Sequence, residues 1–469
     1  MKKFKIIKFF KYIITFIGLI IIFNLLLFLS SLFPSNLLKK NVKESAETLL
    51  IEGNKYQIIQ ALDIYNDNYT DSIMINTAYS IDNTNPIYSY MSGRKNFNKQ
   101  ITKNSLKDTS GELISISPSN EESLANNSII LSEEYEPVIE LNEFINGKIH
   151  TSVNYARYWH GYLPFLRILL LVFNISQIRI FLLILFIIIL FYLIYLINKK
   201  LGKIVAFLFG FSLIVYDYFL VSYSLQNAPI FLVMLISCII LIKNLEKIKD
   251  FCFFTFIIGC IANFVDFLTV PIITLGFPLL LYIYYKQNNN IKNTDLTRIV
   301  ILSTLTWFIG YGLTWLSKWI LFDCIYNNNL LELALNQIIY RSTGSTTFNS
   351  LSKKVENQNI DELVFILSEL ISHLLLLLTI AFIFISFFII IYFKKNRIKI
   401  SLLKFNILIK QCLPILIIVL LPLFWYILLA SHTTKHIFFT YRNMSVSLYG
   451  LSICLYKIFQ FTKNSKKLS

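Results

Sequence analysis

Three aspartates follow the first long apolar run of the chain at a spacing that could let their carboxylates act together. Asp63, Asp67 and Asp71 lie four residues apart, and a helix would place them on one side. Like charges at this spacing are costly unless a cation or another partner offsets them. Asp63 and Asp67 also fit a plain exposed acidic turn. Asp71 precedes the apolar run Ile73–Ala78, so we expect it at the edge of packed structure.

A second group of polar residues lies in an aromatic-rich segment just before a short apolar run. Arg157, His160 and Arg167 occur within the sequence NYARYWHGYLPFLR. Tyr and Trp are common at the depth of lipid headgroups, so an aromatic belt is the structural alternative. Guanidinium and imidazole groups, however, suit phosphate oxygens. Arg167 would sit within the interface, where a charge usually has a partner.

A third group lies at the start of the last apolar run. It contains His432, Lys435, His436 and Arg442. Arg442 falls five residues into that run, where an isolated charge costs several kcal/mol unless it faces a wet cavity, the protein interior or an anion. The four residues predict a phosphate or pyrophosphate site, with snorkelling of Arg442 as the alternative. No metal site is assigned, because the two histidines share a face only if the residues between them are helical, but a divalent metal stays open.

A fourth group combines charged residues with glycines near the ends of two other apolar runs. Asp266 ends one run, and Lys318 lies close to the end of another, where either side chain could snorkel to the interface. Asp266 is kept as an accessory candidate. Gly310 and Gly312 precede Lys318 and are expected to allow a close helix approach or a kink.

The composition shows what kind of structure must position these groups. Apolar residues make up 55% of the 469 residues, and charged residues only 15%. Soluble domains carry about 25% charged residues. The apolar residues are also clumped into runs long enough to cross a hydrocarbon layer, which takes about 20 helical residues. The sequence therefore predicts an all-α membrane protein.

About ten spanning helices, within a range of 9 to 12, are predicted from these runs. The segment 163–173 is shorter and is predicted to be an interfacial helix. The ten runs are 10–33, 175–197, 204–222, 228–243, 251–266, 269–285, 299–321, 363–393, 412–430 and 437–458.

Lysine and arginine placement predicts the orientation, because basic loops stay on the cytoplasmic side. Residues 34–160 carry 16 acidic and 11 basic residues, so this large first loop is predicted to be extracytoplasmic, with both termini in the cytoplasm. The net charge of +16 is concentrated in the predicted cytoplasmic segments, near anionic lipids. It is therefore explained without a nucleic-acid partner. The heavy use of Lys, Asn and Ile suggests an AT-rich bacterial genome. The predicted location is the bacterial cytoplasmic membrane. The predicted divisions are a tail and first helix (1–33), a loop with helical and irregular segments (34–162), helices (163–321), an outer loop (322–362), and C-terminal helices with a basic tail (363–469).

This arrangement resembles the GT-C superfamily of integral membrane glycosyltransferases, in particular the architecture of the mannosyltransferases that use dolichyl-phosphate-mannose. The likeness rests on a long first span, a large outer loop with an acidic residue, and a segment from His160 to Leu166 with Pro164 before a short helix. It implies that Asp71 is catalytic and that Lys435 and Arg442 contact a lipid-linked phosphate. Asp71 is followed by Ser and lies nearly forty residues after the first span, whereas the family commonly has a paired acidic motif close to that span.

The resemblance implies an inverting transfer of sugar from a polyprenyl-(di)phosphate donor to a cell-envelope glycan, lipid or protein. Asp71 would accept the proton of the attacking hydroxyl. Arg157, His160, Arg167, Lys435 and Arg442 would stabilise charge on the departing phosphate. The accessory candidates are Asp67, Asp266, His432 and His436.

Two other functions fit the same topology. A carrier or flippase of lipid-linked saccharides would need a similar cationic lining, and it would be expected to show two related halves, which the sequence lacks. A polymerase of the O-antigen type would share the chemistry but usually carries its large loop late in the chain.

Overall fold

The structure, a computed structural model, describes residues 2–59, 64–97, 137–148, 151–289, 291–326, 335–336, 338–339, 341–342 and 402–466. Asp63, the predicted span 363–393 and the side chain of Lys435 lie outside the described part. Within it, the chain is mostly helical. The coarse prediction of a helical protein is therefore confirmed.

The helices begin and end close to the limits of the apolar runs, with polar and glycine residues as stop signals. The helix that starts at Ile175, for example, has an Asn174 and Gln177 capping box and stops at Gly202, which has a φ of +99°. The helices are α1 (Lys2–Ser31), α2 (Lys39–Glu52), α3 (Asn68–Tyr79), α4 (Pro86–Ser92), α5 (Pro137–Ile145), α6 (Leu163–Val172), α7 (Ile175–Leu201), α8 (Lys203–Val215), α9 (Ala228–Lys243), α10 (Phe251–Val265), α11 (Ile272–Asn288), α12 (Asn293–Tyr326), α13 (Leu402–Val419), α14 (Leu421–Leu428), α15 (Ala430–Lys435), α16 (Ile437–Thr440) and α17 (Ser445–Lys466). Short 3-10 turns cover Ser35–Leu38, Tyr218–Tyr223 and Tyr441–Met444.

By length and composition, five helical stretches of the described residues could cross a membrane. Helix α7 shows why, because Ile180, Ile184, Ile188 and Phe191 form a stripe of side chains that are each more than half exposed. A soluble protein rarely exposes a stripe of this kind, whereas lipid tails would cover it. The count of ten spans and their orientation stay predictions. The five stretches are Phe9–Ser31, Ile175–Leu201, Asn293–Tyr326, Gln411–Leu428 and Ile437–Phe461, and shorter apolar helices are Leu163–Val172, Lys203–Val215, Ala228–Lys243 and Phe251–Val265.

The large loop contains two small antiparallel sheets that the all-α prediction did not include. Strand β1 (Lys55–Ile59) pairs with β2 (Ile64–Asp67), and β3 (Lys95–Phe97) pairs with β4 (Thr151–Val153). The second pair joins two parts of the loop that are more than fifty residues apart in sequence. It thereby positions the aromatic-rich segment that follows β4.

The loop packs against one end of the apolar helices, which we call the loop face: the helix ends that contact residues 34–162. The indole Nε1 of Trp159 donates to the carbonyl oxygen of Thr314 at 2.7 Å. In the other direction, Nζ of the fully buried Lys318 donates to the carbonyl oxygen of Met91 at 2.6 Å. These bonds fix the loop to helix α12. Lys318 is thus a tether and does not snorkel to the interface.

Helices α10 and α12 cross in close contact because each presents a glycine to the other. A Cβ on Gly259 would lie 2.2 Å from the carbonyl oxygen of Trp307, and one on Gly310 would lie 2.4 Å from that of Phe256. Gly312 has no other atom within 4 Å of the position of a Cβ. The close approach expected from the sequence therefore depends on Gly310 and not on Gly312.

Candidate functional site

Asp67 and Asp71 both lie at the start of helix α3, where they help to fold the loop. Asp67 is the N-cap, and its carboxylate accepts hydrogen bonds from the backbone N–H of Thr70 at 3.3 Å and from the Thr70 hydroxyl at 2.6 Å. Gln226 donates to the same carboxylate at 2.7 Å. One turn later, Asp71 is fully buried and accepts the backbone N–H of Leu225 at 2.9 Å. Both aspartates therefore connect the loop to the segment before helix α9.

A buried arginine lies beside Asp71 and is already paired with another carboxylate. Arg179 of helix α7 donates to both carboxylate oxygens of Glu52 at 2.9 Å, and to the side-chain oxygen of Asn68 at 2.8 Å. Its distance to Asp71 Oδ2 is 3.9 Å. Burial, together with the nearby charges of Asp67 and Glu52, raises the pKa of Asp71 well above its usual value, against the opposing effect of Arg179. The structure thus encloses the Asp71 carboxylate in protein. Its role as general base stays a prediction.

Arg167 is fully buried in helix α6 and donates to oxygens of the protein itself. Its Nε donates to the carbonyl oxygen of Ser30 at 2.9 Å, and its Nη2 to that of Phe33 at 2.6 Å. Nη1 donates to the carbonyl oxygen of Ala78 and to the hydroxyl of Ser35, the latter at 3.2 Å. The guanidinium thus joins the end of α1, the following turn and the end of α3. The sequence predicted that this charge would have a partner, and in the structure the partners are mainly backbone carbonyl groups.

His160 is enclosed by aromatic rings and by the backbone of Gly93. The His160 Nε2–H donates to the carbonyl oxygen of Tyr155 at 2.7 Å, whereas Nδ1 has no hydrogen-bond partner in the described part of the chain. A Cβ on Gly93 would lie 2.2 Å from Nε2, so only glycine fits there. Burial lowers the pKa of His160 to about 3, an effect that the positive charges of Lys318 and Arg157 reinforce. His160 is therefore neutral at physiological pH.

Arg157 and Arg341 meet two tyrosines at the loop face, and we call Tyr155, Arg157, Tyr158 and Arg341 the arginine–tyrosine cluster. The guanidinium carbon of Arg157 lies 4.5 Å from the ring centre of Tyr155 and 5.7 Å from that of Tyr158. Arg341 donates from Nη2 to the Tyr158 hydroxyl. Burial raises the pKa of the Tyr155 phenol, but the charges of Arg157, Arg341 and Lys95 outweigh that effect and lower it. The cluster is a region of positive potential.

His432 extends this cluster through a hydrogen-bonded chain. Arg341 Nη1 donates to His432 Nδ1 at 2.7 Å, and His432 Nε2 lies 3.0 Å from the carbonyl oxygen of Leu268. Only a neutral ring protonated on Nε2 satisfies both contacts. Burial and the charge of Arg341 lower the pKa of His432 well below its usual value. The ring of His436 lies 4.6 Å from that of His432, so the two predicted histidines do come together.

Arg442 lies in a different cluster, at the 3-10 turn that precedes helix α17. It is 6% exposed, its Nε has no hydrogen-bond partner among the described residues, and Nη1 reaches the carbonyl oxygen of Phe438 only at 3.4 Å. Its guanidinium carbon lies 4.8 Å from the ring centre of Tyr441. The Tyr441 hydroxyl donates to Asp217 Oδ2 at 2.5 Å. Asp217 and Tyr441 were not among the residues predicted from the sequence.

Asp266 is buried at the end of helix α10, where neighbouring groups occupy its carboxylate. Oδ1 accepts the backbone N–H of Thr269 at 2.9 Å and the Thr269 hydroxyl at 2.5 Å, and Oδ2 accepts the Tyr311 hydroxyl at 3.0 Å. Asp266 therefore holds the turn between α10 and α11.

Metal binding and similarity to known proteins provide no further assignment. Among the described residues, no group of three or more His, Cys, Asp or Glu side chains could hold a metal ion. In comparisons with known proteins, no protein-family model, no curated protein and no solved structure matches this chain.

Proposed function

We propose that the chain is a membrane glycosyltransferase that moves a sugar from a polyprenyl-(di)phosphate donor to a cell-envelope glycan, lipid or protein acceptor at the loop face. One observation carries the proposal. Arg157 and Arg341 lie at the loop face and Arg442 lies in the turn before helix α17, and none of the three has a carboxylate at salt-bridge distance in the described part of the chain. Arg341 and Arg442 are also at least nine-tenths buried.

A buried cation without a counter-charge is costly in free energy, and a phosphate would remove that cost. In the present structure Arg157 and Arg442 rest on tyrosine rings, whereas Arg341 donates hydrogen bonds to the Tyr158 hydroxyl and to the neutral His432. Such cation–π contacts are worth about 0.5–2 kcal/mol, so they are weaker than a charge-assisted bond to a phosphate. An anion could therefore take the place of the rings without breaking the fold.

The surrounding helices favour an anion that carries a long apolar chain. Long stripes of exposed apolar side chains run along helices that end at the loop face, which suits a polyprenyl tail lying beside them in the bilayer. The phosphate would then meet Arg157, Arg341 and Arg442. Loss of the sugar from this phosphate would place negative charge beside the three cations, where it is stabilised.

The binding test compares the purified chain in lipid nanodiscs with two arginine variants. Native mass spectrometry would measure binding of a polyprenyl phosphate and of the matching uncharged polyprenol. We expect the wild type to prefer the phosphate, and Arg157→Gln and Arg341→Gln to lose about 10-fold or more in phosphate affinity each, because a hydrogen bond to a charged group contributes about 1.5–3 kcal/mol. Lys148→Gln is the matched control, since Lys148 is exposed and, among the described residues, pairs with Glu143.

A transfer test separates the enzyme from a carrier of lipid-linked saccharides. Membranes that contain the chain would receive polyprenyl-phosphate donors with radiolabelled sugars, followed by extraction of donor and acceptor material. The proposal requires label to leave the lipid phosphate and to appear in another molecule. Label that crosses the bilayer but stays on the intact donor would instead identify a carrier.

A further inference from the structure

Asp217 lies two residues after the end of helix α8, in a backbone conformation that few residue types adopt. Its φ is +56°, in the left-handed region where residues other than glycine are uncommon and Asn and Asp are the most frequent of them. Its side chain is half-buried. The conformation turns the chain from α8 into the 3-10 segment Tyr218–Tyr223 at the loop face.

A tyrosine and an arginine from the far end of the chain meet this carboxylate. Tyr441 donates its hydroxyl to Asp217 Oδ2 at 2.5 Å, although 224 residues separate the two positions. Arg442, the next residue, places its guanidinium 4.8 Å from the Tyr441 ring centre. Tyr441 thus contacts the Asp217 carboxylate through its hydroxyl and the Arg442 guanidinium through its ring.

The Asp217 carboxylate is partly exposed, whereas those of Asp71 and Asp266 are buried in protein. Asp266 has donors on both oxygens, and Asp71 accepts from Leu225 on Oδ1 and lies 3.9 Å from Arg179 at Oδ2. Asp67 caps helix α3 and also accepts from Gln226. Among the described residues, Tyr441 is the hydrogen-bond partner of the Asp217 carboxylate, and it occupies one of the two oxygens. Oδ1 is therefore open to a hydroxyl group that approaches from the half-exposed side.

We propose that Asp217, and not Asp71, is the general base that activates the acceptor hydroxyl, with Tyr441 as its positioning residue. This inference rests on the proposed function. As the acceptor oxygen forms a bond to the sugar C1, its proton passes to Asp217 Oδ1. The bond from C1 to the phosphate oxygen breaks with its electron pair, and Arg442 stabilises the phosphate that departs. The proton lost by the acceptor is the one gained by Asp217, so the step balances.

The main variant is Asp217→Asn, assayed as transfer of radiolabelled sugar from a polyprenyl-phosphate donor in membranes. Asn tolerates the positive φ, and its amide oxygen can still accept from Tyr441, so the substitution deletes the base while it keeps the local structure. We expect turnover to fall about 100-fold to 10,000-fold, the usual contribution of general acid–base catalysis. Binding of polyprenyl phosphate by the purified variant should equal that of the wild type. Asp82→Asn, at an exposed loop carboxylate, is the control and should keep full turnover.

Chemical rescue distinguishes a base from a residue that only supports the fold. Asp217→Gly adopts the same φ without strain and leaves room for a small carboxylate. Added formate should restore part of its turnover and should not change that of Asp217→Asn, whose side chain fills the space. Tyr441→Phe should lower kcat with little change in the KM for donor, because it leaves the base present but misoriented.

Two outcomes would overturn the inference, and they differ from failure of the proposed function. Full turnover by Asp217→Asn, with the wild type active, would remove Asp217 as the base and leave the glycosyltransferase proposal intact. Loss of polyprenyl-phosphate binding by Asp217→Asn would assign it a structural role. If the wild type binds polyprenyl phosphate but transfers no sugar, the enzyme proposal and this inference both fail.

Discussion

Replacement of Arg442 by Met should have the opposite effect on stability from replacement of Arg167 by Met, although both arginines are buried near helix ends. Arg167 donates to four oxygens of the protein. Its loss would leave several carbonyl groups without a donor, at about 1–3 kcal/mol for each one that stays buried. We therefore expect Arg167→Met to lower the free energy of unfolding by about 3–5 kcal/mol.

Arg442 makes one long hydrogen bond, at 3.4 Å, and one contact with a tyrosine ring. Met keeps the straight apolar chain and removes a charge that has no counter-charge in the described part of the structure. Apolar replacement of buried charges is often neutral or stabilising by about 1–4 kcal/mol. Arg442→Met should thus leave the stability of the ligand-free protein unchanged or higher.

Denaturant unfolding in detergent micelles, followed by tryptophan fluorescence, would measure both variants with and without polyprenyl phosphate. A ligand present at 100 times its Kd stabilises the folded state by about 2.7 kcal/mol. The wild type should show a gain of this kind, and Arg442→Met should lose most of it. Equal destabilisation by Arg442→Met and Arg167→Met would refute the reasoning, because it would mean that Arg442 already has a strong protein partner.

Two further predictions concern packing and pH. Gly310→Ala should destabilise the protein by about 1–3 kcal/mol, because its Cβ would overlap the carbonyl oxygen of Phe256. Gly312→Ala should be neutral or should stabilise by up to about 1 kcal/mol through helix propensity. Thermal unfolding would compare the two variants, and equal effects would contradict the helix contact. The pKa of His160, about 3, lies below the unfolded value of about 6.5, so the stability that His160 contributes is present above pH 6.5 and is lost as pH falls toward 3. His160 should make the free energy of unfolding about 2 kcal/mol lower at pH 5 than at pH 7, and His160→Gln should remove that part of the difference. An unchanged difference would show that His160 is not kept neutral.

Helix positions could be predicted from the sequence because they depend on local signals. The run predicted at 228–243 is the helix Ala228–Lys243, and the short segment predicted at 163–173 is the helix Leu163–Val172. Helix α12 is longer than predicted, at Asn293–Tyr326, because polar residues continue the helix beyond the apolar run. The two strand pairs of the loop were missed, since the short strands there carry no strong alternation.

The roles of the charged residues could not be predicted in the same way, because they depend on partners far away in sequence. Arg167 and Arg442 look alike as lone cations near apolar runs, and the carbonyl groups that hold Arg167 come from residues more than eighty positions away. Arg341 and His432 are likewise 91 residues apart. Asp217, in contrast, lies inside the run predicted at 204–222, so the rule that singled out Arg442 could have found it.

The arginines at and near the loop face differ in the strength of their partners, and this difference bears on how a ligand could enter. Arg179 is held by a carboxylate, and Arg167 by carbonyl oxygens, so moving either one would break the attachment of the loop. Arg157 and Arg442 rest on tyrosine rings, whose attraction is weaker and less directional. A phosphate can therefore bind Arg157 and Arg442 while Arg167 and Arg179 keep the loop attached to the helices. Such an arrangement binds an anion with little reorganisation, which is the condition under which fixed cations stabilise a departing phosphate most effectively.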